Sequence, residues 1–113
     1  KIMAGFIAQQ PNELYCRFST VVDTVTHSDM TEEDYVNVIM ERGYNREYAE
    51  KEAKEVLTDY LKPFSEVLKY FRPINNTVEE FIEWVKSVGY KENDLDDWIE
   101  NWNLIKMEIE EEC

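Results

Sequence analysis

The sequence predicts an α+β fold in which an N-terminal β-hairpin packs on four or five helices arranged as two similar helical hairpins. Residues 1–30 have the apolar run, turn signal and short period-two alternation of a β-hairpin, and the period becomes helical from Thr31 onward. The phrase TEEDYVNVIMERGYN at residues 31–45 then returns as TVEEFIEWVKSVGYK at residues 77–91. We expect a single domain over residues 1–113, with the β-hairpin in 1–30, a first helical hairpin in 31–72 and a second, acidic one in 77–113.

The β-hairpin is predicted from three short stretches at the start of the chain. IMAGFIAQ is an apolar run, PNE is a turn signal, and LYCRFSTVVDTVT is rich in aromatic and β-branched residues. Leu14, Cys16 and Phe18 alternate with more polar side chains, which predicts a strand with one buried face. The alternation slips at Val21 and Val22, where we expect a bulge or the end of the strand. Because a two-stranded hairpin is only marginally stable by itself, we expect it to lie on the helices.

Each copy of the repeated phrase contains both the start and the end of a helix. Thr31 and Thr77 have the side chain of an N-cap residue, and an acidic residue three positions later, Asp34 or Glu80, can bond back to the cap amide. A glycine twelve positions after each threonine can adopt the left-handed conformation that ends a helix. A second amphipathic helix follows each copy, so the repetition predicts two helical hairpins. Chance reuse of good caps, or a local duplication, explains the repetition without any functional requirement.

The chain carries a large negative charge that is concentrated in its last third. It has 12 Lys and Arg residues against 25 Asp and Glu residues, which gives a formal net charge of -13. Residues 77–113 hold three basic and twelve acidic residues and therefore contribute -9. A field of this sign repels phosphate groups, so direct binding to DNA, to RNA or to an anionic membrane is disfavoured.

The residue patterns of common enzymes are missing from the sequence. The single histidine, His27, lies in THSD, a stretch typical of a loop, and it cannot supply the histidine pair of a zinc site. The three glycines stand apart from one another, so the sequence has no glycine-rich phosphate loop. The carboxylates of NDLDDWIEN lack the Gly and Glu of a calcium loop and are better explained as a helix start. We therefore expect no catalytic residue, no cofactor and no metal site.

Cysteine usage and hydropathy predict a cytoplasmic location. Cys16 lies in an apolar alternation, far from Cys113, a spacing unlike that of a disulfide framework, and we interpret it as a buried structural thiol. This pattern favours a reducing compartment. The sequence shows neither an apolar stretch of about 18 residues nor a basic-then-apolar leader, so we expect neither membrane insertion nor secretion.

The candidate interaction surface is the acidic face of the second helical hairpin. In its last predicted helix, residues 94–112, carboxylates follow one another at roughly 3.5 Å along the axis, close to the phosphate spacing of one strand of a duplex. Trp84 lies at the edge of an apolar stripe among these carboxylates and is a candidate anchor. A solvated helix face and a tryptophan at the rim of the core explain the same residues without a partner. The predicted partner-binding residues are Glu79, Glu80, Glu83, Trp84, Asp94, Asp96, Asp97, Glu100, Glu108 and Glu111.

The whole chain is short, acidic, free of enzyme motifs and rich in Tyr, Trp and Glu. In these respects it resembles small phage-encoded proteins that block host defences, among them anti-CRISPR proteins and DNA-mimic inhibitors. The resemblance is one of type, without matching motif residues. It implies a viral inhibitor that works in the host cytoplasm by binding alone, with no enzymatic activity.

Charge and resemblance together predict a non-enzymatic inhibitor that occupies a basic, nucleic-acid-binding surface of a partner protein. The alternative is a helical adaptor that binds a protein or peptide through an apolar groove between the repeated hairpins, with Trp84, Tyr44 and Tyr90 as anchors. The two hypotheses differ in how strongly salt should weaken binding. Neither one specifies the oligomeric state.

Overall fold

A computed structural model of the chain describes residues 5–91 and 95–100. An antiparallel three-stranded sheet is followed by helices, so the predicted α+β class is confirmed. The strands are β1 (Gly5–Gln9), β2 (Tyr15–Ser19) and β3 (Thr24–Met30), and they pair in the order β1-β2-β3. The helices are α1 (Glu32–Glu41), α2 (Arg46–Asp59), α3 (Phe64–Tyr70) and α4 (Val78–Ser87). Residues 95–100 are also helical and are called the 95–100 helix.

The sheet has one strand more than the predicted β-hairpin. The stretch LYCRFSTVVDTVT contains β2, a turn over residues 20–23 and the start of β3, so the slip in alternation is a turn between two strands. His27 belongs to β3, and the prediction of a loop at THSD was wrong. Phe18 pairs with Val25 while Arg17 pairs with His27, which leaves Thr26 as an extra, bulged residue. Because a bulge interrupts the period-two pattern, β3 could not be recognised from the alternation of side chains.

Both faces of the sheet are covered by helices, whereas the sequence predicted one buried face. Cys16 and Phe18 of β2 point into a core with residues of α3, α4 and Leu95 of the 95–100 helix. Ile7 of β1 points to the opposite face, into a second core with residues of α1 and α2. Successive strand residues point to opposite faces, so neighbouring residues of β1 are both buried. The sheet therefore separates an α1–α2 layer from a layer formed by α3, α4 and the 95–100 helix.

Both predicted capping boxes are confirmed. In α1 the Asp34 amide donates to Thr31 Oγ1 (3.1 Å), and the Thr31 amide donates to the Asp34 carboxylate (2.9 Å). In α4 the Glu80 amide donates to Thr77 Oγ1 (3.0 Å), and the Thr77 amide donates to Glu80 Oε1 (2.9 Å). Each box satisfies donors that the first turn of a helix would otherwise leave unpaired.

Both glycines lie at the predicted helix ends, but the tyrosines that follow them have different surroundings. Gly43 and Gly89 have φ angles of 101° and 96°, in the left-handed region that disfavours other residues. After α4, the Tyr90 ring packs 5.6 Å from that of Phe64 in α3. After α1, Tyr44 is 49% exposed, and its ring lies 4.6 Å from the ring of Tyr48 in α2. The same Gly-Tyr helix end is thus followed by different tertiary contacts after α1 and after α4.

Pro63 lies between α2 and α3, which are separate helices. The proline occupies the N-cap of α3, where its missing N–H leaves no hydrogen bond unmade. In the short connection before it, the Lys62 amide donates to the carbonyl of Ile7 (2.9 Å). This contact covers the outer edge of β1 with a single bridge between Ala8 and Lys62.

Candidate partner-binding surface

Six of the predicted carboxylates are exposed on α4 and the 95–100 helix. The two helices pack through their apolar sides, since the rings of Phe81 and Trp98 lie 5.4 Å apart and Leu95 is buried in the same core. The polar sides of both helices remain in solvent. We call the exposed carboxylates of these helices the acidic surface: Glu79, Glu80, Glu83, Asp96, Asp97 and Glu100.

Among the described residues, no Lys or Arg neutralises the acidic surface. Within residues 5–91 and 95–100, none of its carboxylates lies within ion-pair distance of a Lys or Arg. In the α1–α2 layer, by contrast, Arg46 pairs with Glu33 at 2.6 Å and with Glu50 at 2.8 Å. The negative charge of α4 and the 95–100 helix is therefore available to a partner.

Glu80 has a second role, as the acidic member of the α4 capping box. Its carboxylate accepts the hydrogen bond from the Thr77 amide, and this bond, followed by the one with the Thr77 side chain, lowers the pKa of Glu80. The same pair of contacts with Thr31 lowers the pKa of Asp34 in α1. The cap amide engages only Oε1 of Glu80.

Trp84 lies at the rim of the core. Its half-buried ring packs 5.7 Å from Phe64 and 5.9 Å from Phe81. Its indole N–H is buried and donates to no acceptor among the residues that the structure describes. This position is compatible with both interpretations of the sequence, a tryptophan at the rim of the core and an anchor for a partner. One part of the ring belongs to the core, and another part borders the acidic surface. Its role in binding a partner stays a prediction.

A small cavity lies between β3 and α4, at the edge of the acidic surface. Its volume is about 170 Å³. This cavity could not be predicted from local residue patterns, because it depends on the unrecognised strand β3 and on contacts between segments about 50 residues apart. One such contact is the 2.7 Å hydrogen bond from the Thr24 hydroxyl to the Asn76 side chain. The polar and aromatic lining includes Thr24, Thr26, Ser28, Asn76, Glu80 and Trp84.

The remaining predicted residues divide into two groups. Asp94, Glu108 and Glu111 lie outside the described residues. The anchors of the alternative adaptor hypothesis lie on different layers, because Tyr44 stacks on Tyr48 of α2 while Tyr90 and Trp84 both contact Phe64 of α3. These three rings do not line one common groove.

Cys16 and His27, the two side chains best suited to chemistry, are both part of the sheet. Cys16 is fully buried, and this burial raises the pKa of its thiol to about 12, which keeps it protonated and unreactive. His27 is half-buried in β3, with Nδ1 3.0 Å from the Thr26 hydroxyl. In the part of the chain that the structure describes, no three His, Cys, Asp or Glu side chains are grouped to hold a metal ion.

Comparison with known proteins finds no family model, no curated protein and no solved structure that matches this chain. Among the described helices, none combines the length and the apolar composition that are needed to cross a bilayer.

Proposed function

We propose that the chain is a non-enzymatic inhibitor whose acidic surface occupies a basic, nucleic-acid-binding surface of another protein. The observation that carries the proposal is the set of six exposed carboxylates without an intramolecular ion pair in the described residues. We take the second helical hairpin, residues 77–113, as the unit that binds, with Asp94, Glu108 and Glu111 as further contacts.

The spacing of these carboxylates supports competition with nucleic acid. Glu79, Glu80 and Glu83 lie within five residues of α4, and the four steps from Glu79 to Glu83 are about 6 Å of helix rise. Asp96, Asp97 and Glu100 have the same spacing on the 95–100 helix. One strand of a duplex carries a phosphate about every 3.4 Å, so each triplet matches the charge density of one strand. A groove that binds phosphates would attract such an array through the same field.

The distribution of charge favours a use for the acidic surface beyond solubility. Like charges that are gathered on one part of a small fold repel one another and reduce its stability. Here -9 of the net charge of -13 falls in residues 77–113, although Lys and Arg residues are available elsewhere in the chain. Complementary charge across an interface speeds association and selects the partner, which offsets this cost in a binding protein.

The partner class follows from the sign of the charge and from the resemblance in type to phage-encoded anti-defence proteins. Nucleic acid itself is repelled, so the target is a basic protein, with CRISPR effectors and other nucleic-acid-binding proteins of a bacterial host as first candidates. The proposed site of action is the host cytoplasm, and the proposed mode is occupation of the binding groove without chemistry.

A displacement assay tests this function. Purified basic proteins that bind DNA or RNA, including guide-loaded CRISPR effectors, are each saturated with a fluorescent oligonucleotide, and the chain is added as competitor. We expect displacement from at least one of them at near-stoichiometric ratio, because a folded carboxylate array is pre-organised for the groove. Poly-L-glutamate at equal carboxylate concentration serves as the control for charge alone and should displace less.

Salt dependence completes the test. Direct binding of the chain to the displaced protein should weaken by about tenfold between about 50 mM and about 300 mM salt, because exposed charges are screened over this range. Displacement from none of the proteins, or binding that is insensitive to salt, would contradict the proposal.

A further inference from the structure

We infer that the cavity between β3 and α4 receives one basic side chain of the partner, with arginine preferred over lysine. The inference rests on the proposed function, because it takes the partner surface to be basic. It goes further by assigning a specific residue type to a specific site. The acidic surface alone would attract any cation, whereas a cavity beside it can select one.

The size of the cavity fits a single side chain. Its volume is about 170 Å³. Sites for cofactors and drug-sized ligands are larger, at roughly 300–1,000 Å³. The cavity also opens beside exposed residues, since Thr26, Ser28 and Glu80 are all solvent-exposed. A side chain that projects from a docked protein can therefore enter it.

The lining supplies the two interactions that a guanidinium group uses best. Glu80 provides a carboxylate with one oxygen free of the cap amide, and its lowered pKa keeps it ionised. Trp84 provides an indole face, on which a planar guanidinium can stack. The hydroxyl oxygen of Ser28 is a further acceptor for its N–H groups. None of the described lining residues is a Lys, Arg or His, and the nearby Arg17 guanidinium donates to the Thr26 hydroxyl (3.2 Å).

One substitution removes the charge at the cavity without removing the helix cap. Glu80→Gln removes the charge but keeps the capping box, because a glutamine at this helix position can still accept the bond from the cap amide. Asp34→Asn makes the equivalent change in the capping box of α1, which lies in the other helical layer, away from the cavity. The two variants change the net charge equally and differ only in where the charge is lost.

Titration with Nα-acetyl-arginine amide, followed by NMR of the ¹⁵N-labelled full chain, is the direct measurement. We expect saturable shifts at the Trp84 indole N–H and at the amides of residues 24–28, with a dissociation constant on the order of 1 mM or weaker. Glu80→Gln should weaken binding about three- to fivefold, and Asp34→Asn should leave it unchanged. The neutral isostere Nα-acetyl-citrulline amide should bind more weakly than the arginine ligand, as should Nα-acetyl-lysine amide.

Three results would overturn the inference: no shift at Trp84 or β3 at about 50 mM ligand, equal binding of citrulline and arginine, or equal affinity of Glu80→Gln and wild type. The displacement assay separates this failure from that of the proposed function. If the wild type and Glu80→Gln displace oligonucleotide equally well, the proposed function stands and the arginine cavity fails. If arginine binds in the cavity but no protein is displaced, the proposed function fails and the site remains.

Discussion

At the scale of single residues, two tryptophans of the same core have opposite hydrogen-bonding states. The Trp98 indole N–H donates to the carbonyl of Leu68 at 2.9 Å, whereas the Trp84 indole N–H is buried with no acceptor among the described residues. A buried donor without an acceptor costs about 1–3 kcal/mol. Trp84 therefore contributes less to folding than its size suggests, and its ring also lines the cavity between β3 and α4.

The first prediction compares Trp84→Phe with Trp98→Phe. Both changes shrink an indole to a phenyl ring, so the loss of packing is similar and each variant serves as the control for the other. Trp98→Phe also removes a hydrogen bond, while Trp84→Phe removes an unsatisfied donor. The free energy of unfolding, measured with urea, should fall by at least about 1 kcal/mol more for Trp98→Phe. An equal or larger loss for Trp84→Phe would show that its N–H is satisfied in solution.

At the scale of elements, the two capping boxes make the stability of the fold depend on pH. The pKa values of Asp34 and Glu80 are lowered mainly by the hydrogen bonds from the cap amides of Thr31 and Thr77. A carboxylate whose pKa is lower in the folded chain stabilises the fold fully above its ordinary pKa. That contribution is lost as the pH falls through the folded value. Both boxes therefore contribute to stability at neutral pH and weaken in acid.

The second prediction concerns the pH dependence of thermal unfolding. Between about pH 7 and about pH 3, the unfolding temperature of the double variant Asp34→Asn/Glu80→Gln should fall less than that of the wild type, because two carboxylates that release stability in acid are gone. Calorimetry at matched ionic strength provides the measurement. Parallel curves for the two proteins would mean that the capping carboxylates titrate alike in the folded and unfolded chains.

The helix termini could be predicted from the sequence because their signals are local. Thr31, Asp34 and Gly43 act within a single helix, and so do their counterparts around α4. β3 was missed because its signal is interrupted: Thr26 is bulged, and Asp29 has a φ of 54°. Asp29 holds this conformation through a distant partner, since its amide donates to the side chain of the buried Gln10 at 2.8 Å.

The same distinction applies to the candidate site. The exposure of Glu79 and Glu83 follows from the helical period of α4, so it could be predicted from residue spacing alone. The cavity depends on how β3 and α4 meet, and the unsatisfied N–H of Trp84 depends on the rings around it. Contacts of this kind join distant parts of the chain, and no local pattern encodes them.

At the scale of the whole molecule, the sheet separates two helical layers with different electrostatic character. In the α1–α2 layer, Arg46 neutralises part of the negative charge through Glu33 and Glu50. On α4 and the 95–100 helix, the described carboxylates have no such partner. If charge served only solubility, its position would not matter. The proposed function, by contrast, requires the negative charge to lie on the acidic surface.

The most direct test of this claim compares two triple charge reversals in the displacement assay. Asp96→Lys/Asp97→Lys/Glu100→Lys alters the acidic surface, and Glu47→Lys/Glu55→Lys/Asp59→Lys makes the same change of net charge at exposed positions of α2, in the other layer. Circular dichroism and thermal unfolding confirm that each variant is folded. We expect the first variant to displace oligonucleotide at least about tenfold less effectively than wild type, and the α2 variant to lose far less. Equal losses in the two variants, or no loss in either, would contradict an interface on the acidic surface.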